Sequence, residues 1–216
     1  MTPSPDTRLR RFSRAERAVH WGVAILVLIL IVSGACLFFP LLSGLVGNRD
    51  LFKWLHTAAG FLLPVPLILA AGSAAFRADL GRLNRFTPSD WAWFRRSQRE
   101  SGTLAVGKFN GGQKLAAAVT AGALLVLFGT GMIMYFAGVF SDDLQTGATF
   151  VHDWVSMALS ILLAFHISKG LADTEALNGM MAGDVAESWA MAHHPQWVAE
   201  MTGAESQSES EDPATR

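Results

Sequence analysis

TFVHDWVSMALSILLAFHIS, residues 149 to 168, is twenty residues long, and its one charged side chain, Asp153, stands close to its start. A stretch of that length and character crosses a hydrocarbon layer of about 30 Å as a helix. His152 and His166 lie fourteen positions apart on it. In a helix that interval turns through roughly 1400°, about 40° short of four full turns, and climbs roughly 21 Å. Both rings therefore leave one face of the rod at opposite membrane levels.

Three more stretches read as membrane spans: approximately Trp21 to Phe39, Leu55 to Phe76 and Leu115 to Ala137, none containing Asp, Glu, Lys or Arg. A mean hydropathy of +0.32, with 51% hydrophobic and 16% charged residues, places the 216-residue chain among integral membrane proteins. Pro64 and Pro66 interrupt the second span, and a kink or loosened turn is expected there, making room for a cofactor or a partner. Glycines recur in the spans, at Gly22, Gly34, Gly60, Gly72, Gly122, Gly129 and Gly131, as close helix packing requires.

Orientation follows from Lys and Arg. Arg8, Arg10, Arg11, Arg14 and Arg17 precede the first span, and Arg77, Arg82, Arg85, Arg95, Arg96, Arg99, Lys108 and Lys114 lie between spans two and three. Arg49 and Lys53 alone occupy the first connection, and the third has neither residue type. Both termini are expected in the cytoplasm, with the protein a multi-pass component of the cell inner membrane in contact with lipid. The first apolar run is longer than a signal core and no small-residue cleavage site follows it, so it is read as a retained span. Cys36, the single cysteine, can form no internal disulfide or thiolate cluster. The net charge of -1 conceals a basic connection and an acidic end, and shows no nucleic-acid footprint.

Two further histidines complete the pattern. His20 opens span one and His56 opens span two, which in a chain that weaves through the bilayer puts them at opposite surfaces. With both termini inside, His20 shares the inner level with His166, and His56 shares the outer level with His152. Ionisable side chains inside a membrane mark function. Two imidazoles per level suit an iron porphyrin held from both faces, with no position open to substrate, whereas a zinc site gathers three or four ligands at one depth. Two haem b groups, each passing single electrons, are expected. The fold class is then all-α: an integral membrane four-helix bundle with two stacked b-haem sites.

Residues 1–178 are assigned to the transmembrane di-haem domain, 179–202 to a cytoplasmic amphipathic tail and 203–216 to a disordered acidic C-terminus. Trp91, Trp93 and Phe94, interleaved with arginines, suit lipid headgroups. His193 and His194 are adjacent, about 100° apart on a helix, which favours structural roles over shared metal ligation. The run Gly107 to Lys114, GKFNGGQK, has two readings. Asn110, Gln113 and glycine N–H groups can donate to a substrate carbonyl as negative charge develops. Equally, the run can be a helix-start turn with Asn110 as cap and glycine for close approach. Lys108 and Lys114 are weaker candidates for attracting protons.

Taken together, the motifs Arg17-Ala18-Val19-His20-Trp21, Leu55-His56, GKFNGGQK, His152 with His166, and His193-His194-Pro195 with Trp197 resemble, over nearly the full chain, the cytochrome b (gamma) subunits of membrane-bound respiratory formate dehydrogenases. The resemblance implies a complex with an iron–sulfur beta subunit and a molybdenum or tungsten alpha subunit that oxidises formate. This subunit would carry the electrons through haems at His56/His152 and His20/His166 to a membrane quinone, ubiquinone or menaquinone. That quinone would be contacted near the inner haem around Asn110, Gly112 and Gln113. Paired-histidine haems also occur in the cytochrome b of nickel–iron hydrogenases and other periplasmic oxidoreductases, the alternative assignment. Asp173, Thr174 and Glu175, and the two span-two prolines, depart from the family pattern.

Overall fold

In the computed structural model, which describes residues 7–95, 97, 99 and 104–211, apolar sequence has become helix almost throughout. The order is β1 (Arg8–Arg10), α1 (Arg14–Phe38), α2 (Pro40–Val46), α3 (Arg49–Leu62), α4 (Pro64–Ala70), α5 (Ala74–Leu83) and α6 (Pro88–Trp93). After the basic connection come α7 (Gly111–Tyr135), α8 (Asp142–Ala172), α9 (Thr174–Met181), β2 (Asp184–Ala186), α10 (Glu187–His193) and α11 (Pro195–Glu211). Arg96 of the basic connection, and residues 212–216 of the acidic end, lie outside the described residues; α11 carries the backbone of 203–211.

Among the described residues, four helices are long and apolar enough to cross a membrane: Arg14–Phe38, Arg49–Ala70, Gly111–Tyr135 and Asp142–Ala172. Large apolar side chains on them face outward, among them Leu28, Leu125 and Ile161, each at least 60% exposed. In water such a surface is costly, and in lipid it is the expected exterior. The second span has the break its prolines require. Helix α3 ends at Leu62, Leu63 bridges, and Pro64 opens α4, since a proline supplies no N–H to a preceding turn. Helix α4 stops at Ala70 rather than near Phe76, because Ala71 and Gly72 form a turn and α5 starts afresh at Ala74.

The chain divides into two units, one formed by residues Arg14–Arg77 and Val119–Lys169, the other by the remaining residues. In the first, α1 packs along α3 and α4. A Cβ placed on Gly22 of α1 would stand 3.4 Å from the Pro66 ring, so glycine permits that approach. In the second unit, β1 and β2 pair antiparallel, Arg8 opposite Ala186 and Arg10 opposite Asp184. Strands of three residues carry no legible alternation, and an all-helical expectation passes over them. Val185, Ala190, Trp197 and Val198 form its buried core, flanked by Leu9, Trp189 and Met201. Gly183, at φ 102, makes the turn into β2, where its carbonyl accepts from the N–H groups of Arg11 and Phe12 at 2.8 and 3.0 Å. A side chain there would be strained.

Candidate functional site

The four membrane histidines form two pairs. His20 of α1 and His166 of α8 face one another with ring centroids 6.1 Å apart and planes inclined at 53°. His56 of α3 and His152 of α8 repeat the arrangement at 6.1 Å and 63°. Helix α8 thus supplies one ring to each pair, as the interval of fourteen residues requires.

The separation has a chemical meaning. Two metal–imidazole bonds of about 2 Å each, laid end to end with the ring radii added, span roughly 6 Å between centroids. Two imidazoles hydrogen-bonded nitrogen to nitrogen or stacked face to face would be closer, while edge contact also reaches this distance. Among the described residues, no group of three or more His, Cys, Asp or Glu is placed to hold a metal ion. The donor set of each pair is therefore two imidazole nitrogens, which fits a planar macrocycle supplying its own four equatorial donors.

The pair His56/His152 has further support. Ser33 Oγ lies 3.1 Å from His56 Nδ1, and Thr130 Oγ1 lies 2.9 Å from His152 Nδ1. Each hydroxyl also donates to a carbonyl of its own helix, Ser33 to Ile29 at 2.6 Å and Thr130 to Val126 at 2.8 Å. Neither hydroxyl stood out in the sequence, because Ser and Thr inside spans ordinarily bond their own helix.

The glycine-rich run sits in the other unit, where it builds a helix start. Asn110 Oδ1 accepts from Gln113 N–H at 2.9 Å, and Gln113 Oε1 accepts from Asn110 N–H at 3.0 Å. This reciprocal cap satisfies two backbone donors and uses the carbonyl ends of both side chains. Their amide nitrogens are not used by it. A Cβ on Gly111 would overlap the Asp90 carbonyl, and one on Gly112 would come within 2.6 Å of the Trp93 ring. Glycine at both positions is thus fixed by backbone and ring approach.

Both lysines of the run are buried and paired. Lys108 Nζ meets Asp79, and Lys114 Nζ meets Asp90 at 2.6 Å and the Arg85 carbonyl at 2.9 Å. Burial alone would raise the Asp90 carboxyl, but Lys114 and the Thr87 backbone and hydroxyl donors hold it below the usual carboxylate range. Held in these pairs, the lysines tie the run to α5 and α6.

His194 is 2% exposed and joins three segments. Its Nδ1–H donates to the Gly107 carbonyl at 2.8 Å, and its Nε2 accepts from Arg11 at 2.9 Å. Arg11 also donates to the Lys108 carbonyl at 2.9 Å and lies over the Trp189, Phe12 and Trp197 rings. Burial, reinforced by the Arg11 charge, pulls the imidazole down to about 3, so it is neutral. Burial likewise lowers Arg11 to about 10, and Asp173 and Asp79 offset part of the effect. His193 meets the Trp189 carbonyl at 2.9 Å and stacks on that ring. The two adjacent histidines share no ligand. Asp173 caps α9 and accepts from Trp189 Nε1 at 3.3 Å, while Glu175 accepts from the Ala186 N–H at 2.9 Å. The two acidic residues that depart from the family pattern thus hold this unit together.

Comparison with known proteins adds a lineage. A family model described as prokaryotic cytochrome b561 matches residues 11–183. The chain is 28% identical over 208 residues to the nitrate-inducible formate dehydrogenase cytochrome b556(Fdn) subunit of Escherichia coli (strain K12), covering 91% of this chain and 93% of the relative. It is 28% identical over 200 residues to that organism's formate dehydrogenase cytochrome b556(fdo) subunit, covering 88% and 92%. The formate dehydrogenase cytochrome b556 subunit of Haemophilus influenzae is 26% identical over 203 residues, covering 91% and 85%.

Proposed function

The chain belongs to the prokaryotic cytochrome b561 family, and from that premise we propose that it is the electron-carrying inner-membrane subunit of a formate dehydrogenase, reducing membrane quinone. Its partners are an iron–sulfur subunit and a molybdenum- or tungsten-containing catalytic subunit. The observation that carries the reading is the pair of facing imidazole sets, His20/His166 and His56/His152, each at 6.1 Å and both drawing on α8. The relatives named as formate dehydrogenase cytochrome b556 subunits support the choice of complex.

A haem b held by each pair would supply one-electron exchange. The chain's residues supply the setting. His20 and His166 hold one group at the inner level, His56 and His152 the other at the outer level, and the apolar spans keep water from both. Quinone takes up two electrons and two protons to become quinol. Asn110 and Gln113, whose amide nitrogens the helix cap does not use, donate to a quinone carbonyl as charge builds on its oxygen. Gly112 lies between them and offers its backbone beside the Trp93 ring. The arginine-rich tail and connection face the cytoplasm, so protons for quinol are drawn from that side while electrons arrive from the other. The membrane is charged without a pump.

The test is spectroscopic. The isolated full-length chain binds two haem b, measured as pyridine haemochrome per polypeptide, and in membranes containing the complex formate reduces both. A colourless chain overturns the proposal. Reduction by hydrogen and not by formate moves it to the hydrogenase cytochromes.

A further inference from the structure

His56 and His152 are held by the same device, used twice. Ser33-Gly34 of α1 lies against His56, and Thr130-Gly131 of α7 lies against His152. In each, the hydroxyl meets Nδ1, at 3.1 and 2.9 Å, and a Cβ on the glycine would stand 3.3 and 3.6 Å from the ring's Cε1. At Gly34 the absence of a side chain lets α1 close on the ring edge, whereas at Gly131 an added methyl would make an ordinary contact.

The position of the hydroxyl proton bears on the tautomer, as do the Leu30 and Leu127 carbonyls, which can only accept from the His56 and His152 rings. An oxygen–oxygen separation of 2.6 Å between Ser33 and the Ile29 carbonyl, or 2.8 Å between Thr130 and the Val126 carbonyl, is a hydrogen bond only with the proton between them. A hydroxyl has one proton, so towards the imidazole each can only accept. Nδ1 must then carry hydrogen, leaving Nε2 with the lone pair on both rings. Among the described residues, His20 and His166 have no such hydroxyl.

We propose that Ser33 and Thr130 are positioning residues for the outer level: together with the Leu30 and Leu127 carbonyls they hold both imidazoles in the Nδ1–H form, aim Nε2 at iron and raise ligand basicity. A ligand whose N–H is hydrogen-bonded is a better donor to ferric iron and lowers the reduction potential. The two levels therefore differ in their ligands' surroundings although the ligands are alike. This rests on the two-haem reading above.

Redox titration of the visible spectrum and electron paramagnetic resonance of the ferric haems, in membranes holding the whole complex, test it. Ser33→Ala and Thr130→Val are expected to raise one of two midpoint potentials and shift one ferric signature, the other level staying as in the parent. Ser33→Thr and Thr130→Ser restore the parent values. Ser160→Ala, removing a hydroxyl that bonds only its own helix at Ser156, shifts neither. Haem loss from Ser33→Ala or Thr130→Val that the hydroxyl-bearing variants reverse also supports the proposal. Unmoved potentials in a parent that binds two haems overturn this inference and leave the functional reading standing, as does equal haem loss in the alanine, valine and hydroxyl-bearing variants. A parent without haem overturns both.

Discussion

At the scale of single residues, the histidines divide by what each one touches. His166→Ala removes one ring of the inner pair and leaves His56 and His152 intact. Haem content is expected to fall from two to one per chain, with quinol formation lost and the remaining haem still reduced by formate. Full quinol formation in that variant would defeat the assignment. His194 gives a pH dependence instead. Its folded-state value of about 3 lies below the ordinary 6.5, so on acidification the unfolded chain takes up a proton that the folded one refuses. Its contribution to stability is complete above pH 6.5 and drains away as pH falls from 6.5 towards 3. Melting curves across that window are expected to slope less in His194→Gln than in the parent. The pairing of the membrane histidines was legible because it follows from chain order alone. His194 was not, because its partners Arg11 and Gly107 are 183 and 87 positions away with no periodicity linking them.

At the scale of elements, α5, α6 and the start of α7 are held together by charges inside a small packed unit. Asp90 and Lys114 have side chains only 7% and 10% exposed. Removing one member of such a buried pair strands the other, at a cost of about 3–5 kcal/mol, whereas replacing both with apolar groups is close to neutral. Lys114→Met alone is therefore expected to lower the melting temperature more than Lys114→Met with Asp90→Asn, which removes the stranded charge and keeps an oxygen for the Thr87 N–H, a comparison made by calorimetry on the detergent-solubilised chain. Gly111→Ala is a separate case, since its methyl would overlap the Asp90 carbonyl. Overpacking of that kind costs about 1–3 kcal/mol, read in the same experiment. From sequence these lysines suggested proton attraction, because an unpaired charge and a paired one look identical until the chain folds. The broken second span was legible, since prolines act on their own helix. Its early end was not, since Ala71 and Gly72 are common enough within helices.

At the scale of the whole molecule, four spans and a strongly uneven distribution of arginine give one topology, and it is open to direct measurement. Asn48→Cys, in a chain whose Cys36 is replaced, is expected to react with a membrane-impermeant maleimide in intact cells, and Glu200→Cys only after lysis. The reverse pattern would exchange the sides assigned to electron entry and proton uptake. Hydropathy made the spans legible because lipid imposes one requirement along a whole helix. The unit built from β1, β2 and the last helices was hidden, because its core of Val185, Ala190, Trp197 and Val198 depends on segments far apart in the chain. Helix α8 has one further consequence. Since a single rod carries a ring for each station, adding one residue between His152 and His166 would swing one ring about 100° away from its mate. Only intervals near whole turns, about 11, 14 or 18 residues, keep both in line, so on this reading the hopping length can evolve only in jumps of about 5 Å, like teeth on a ratchet.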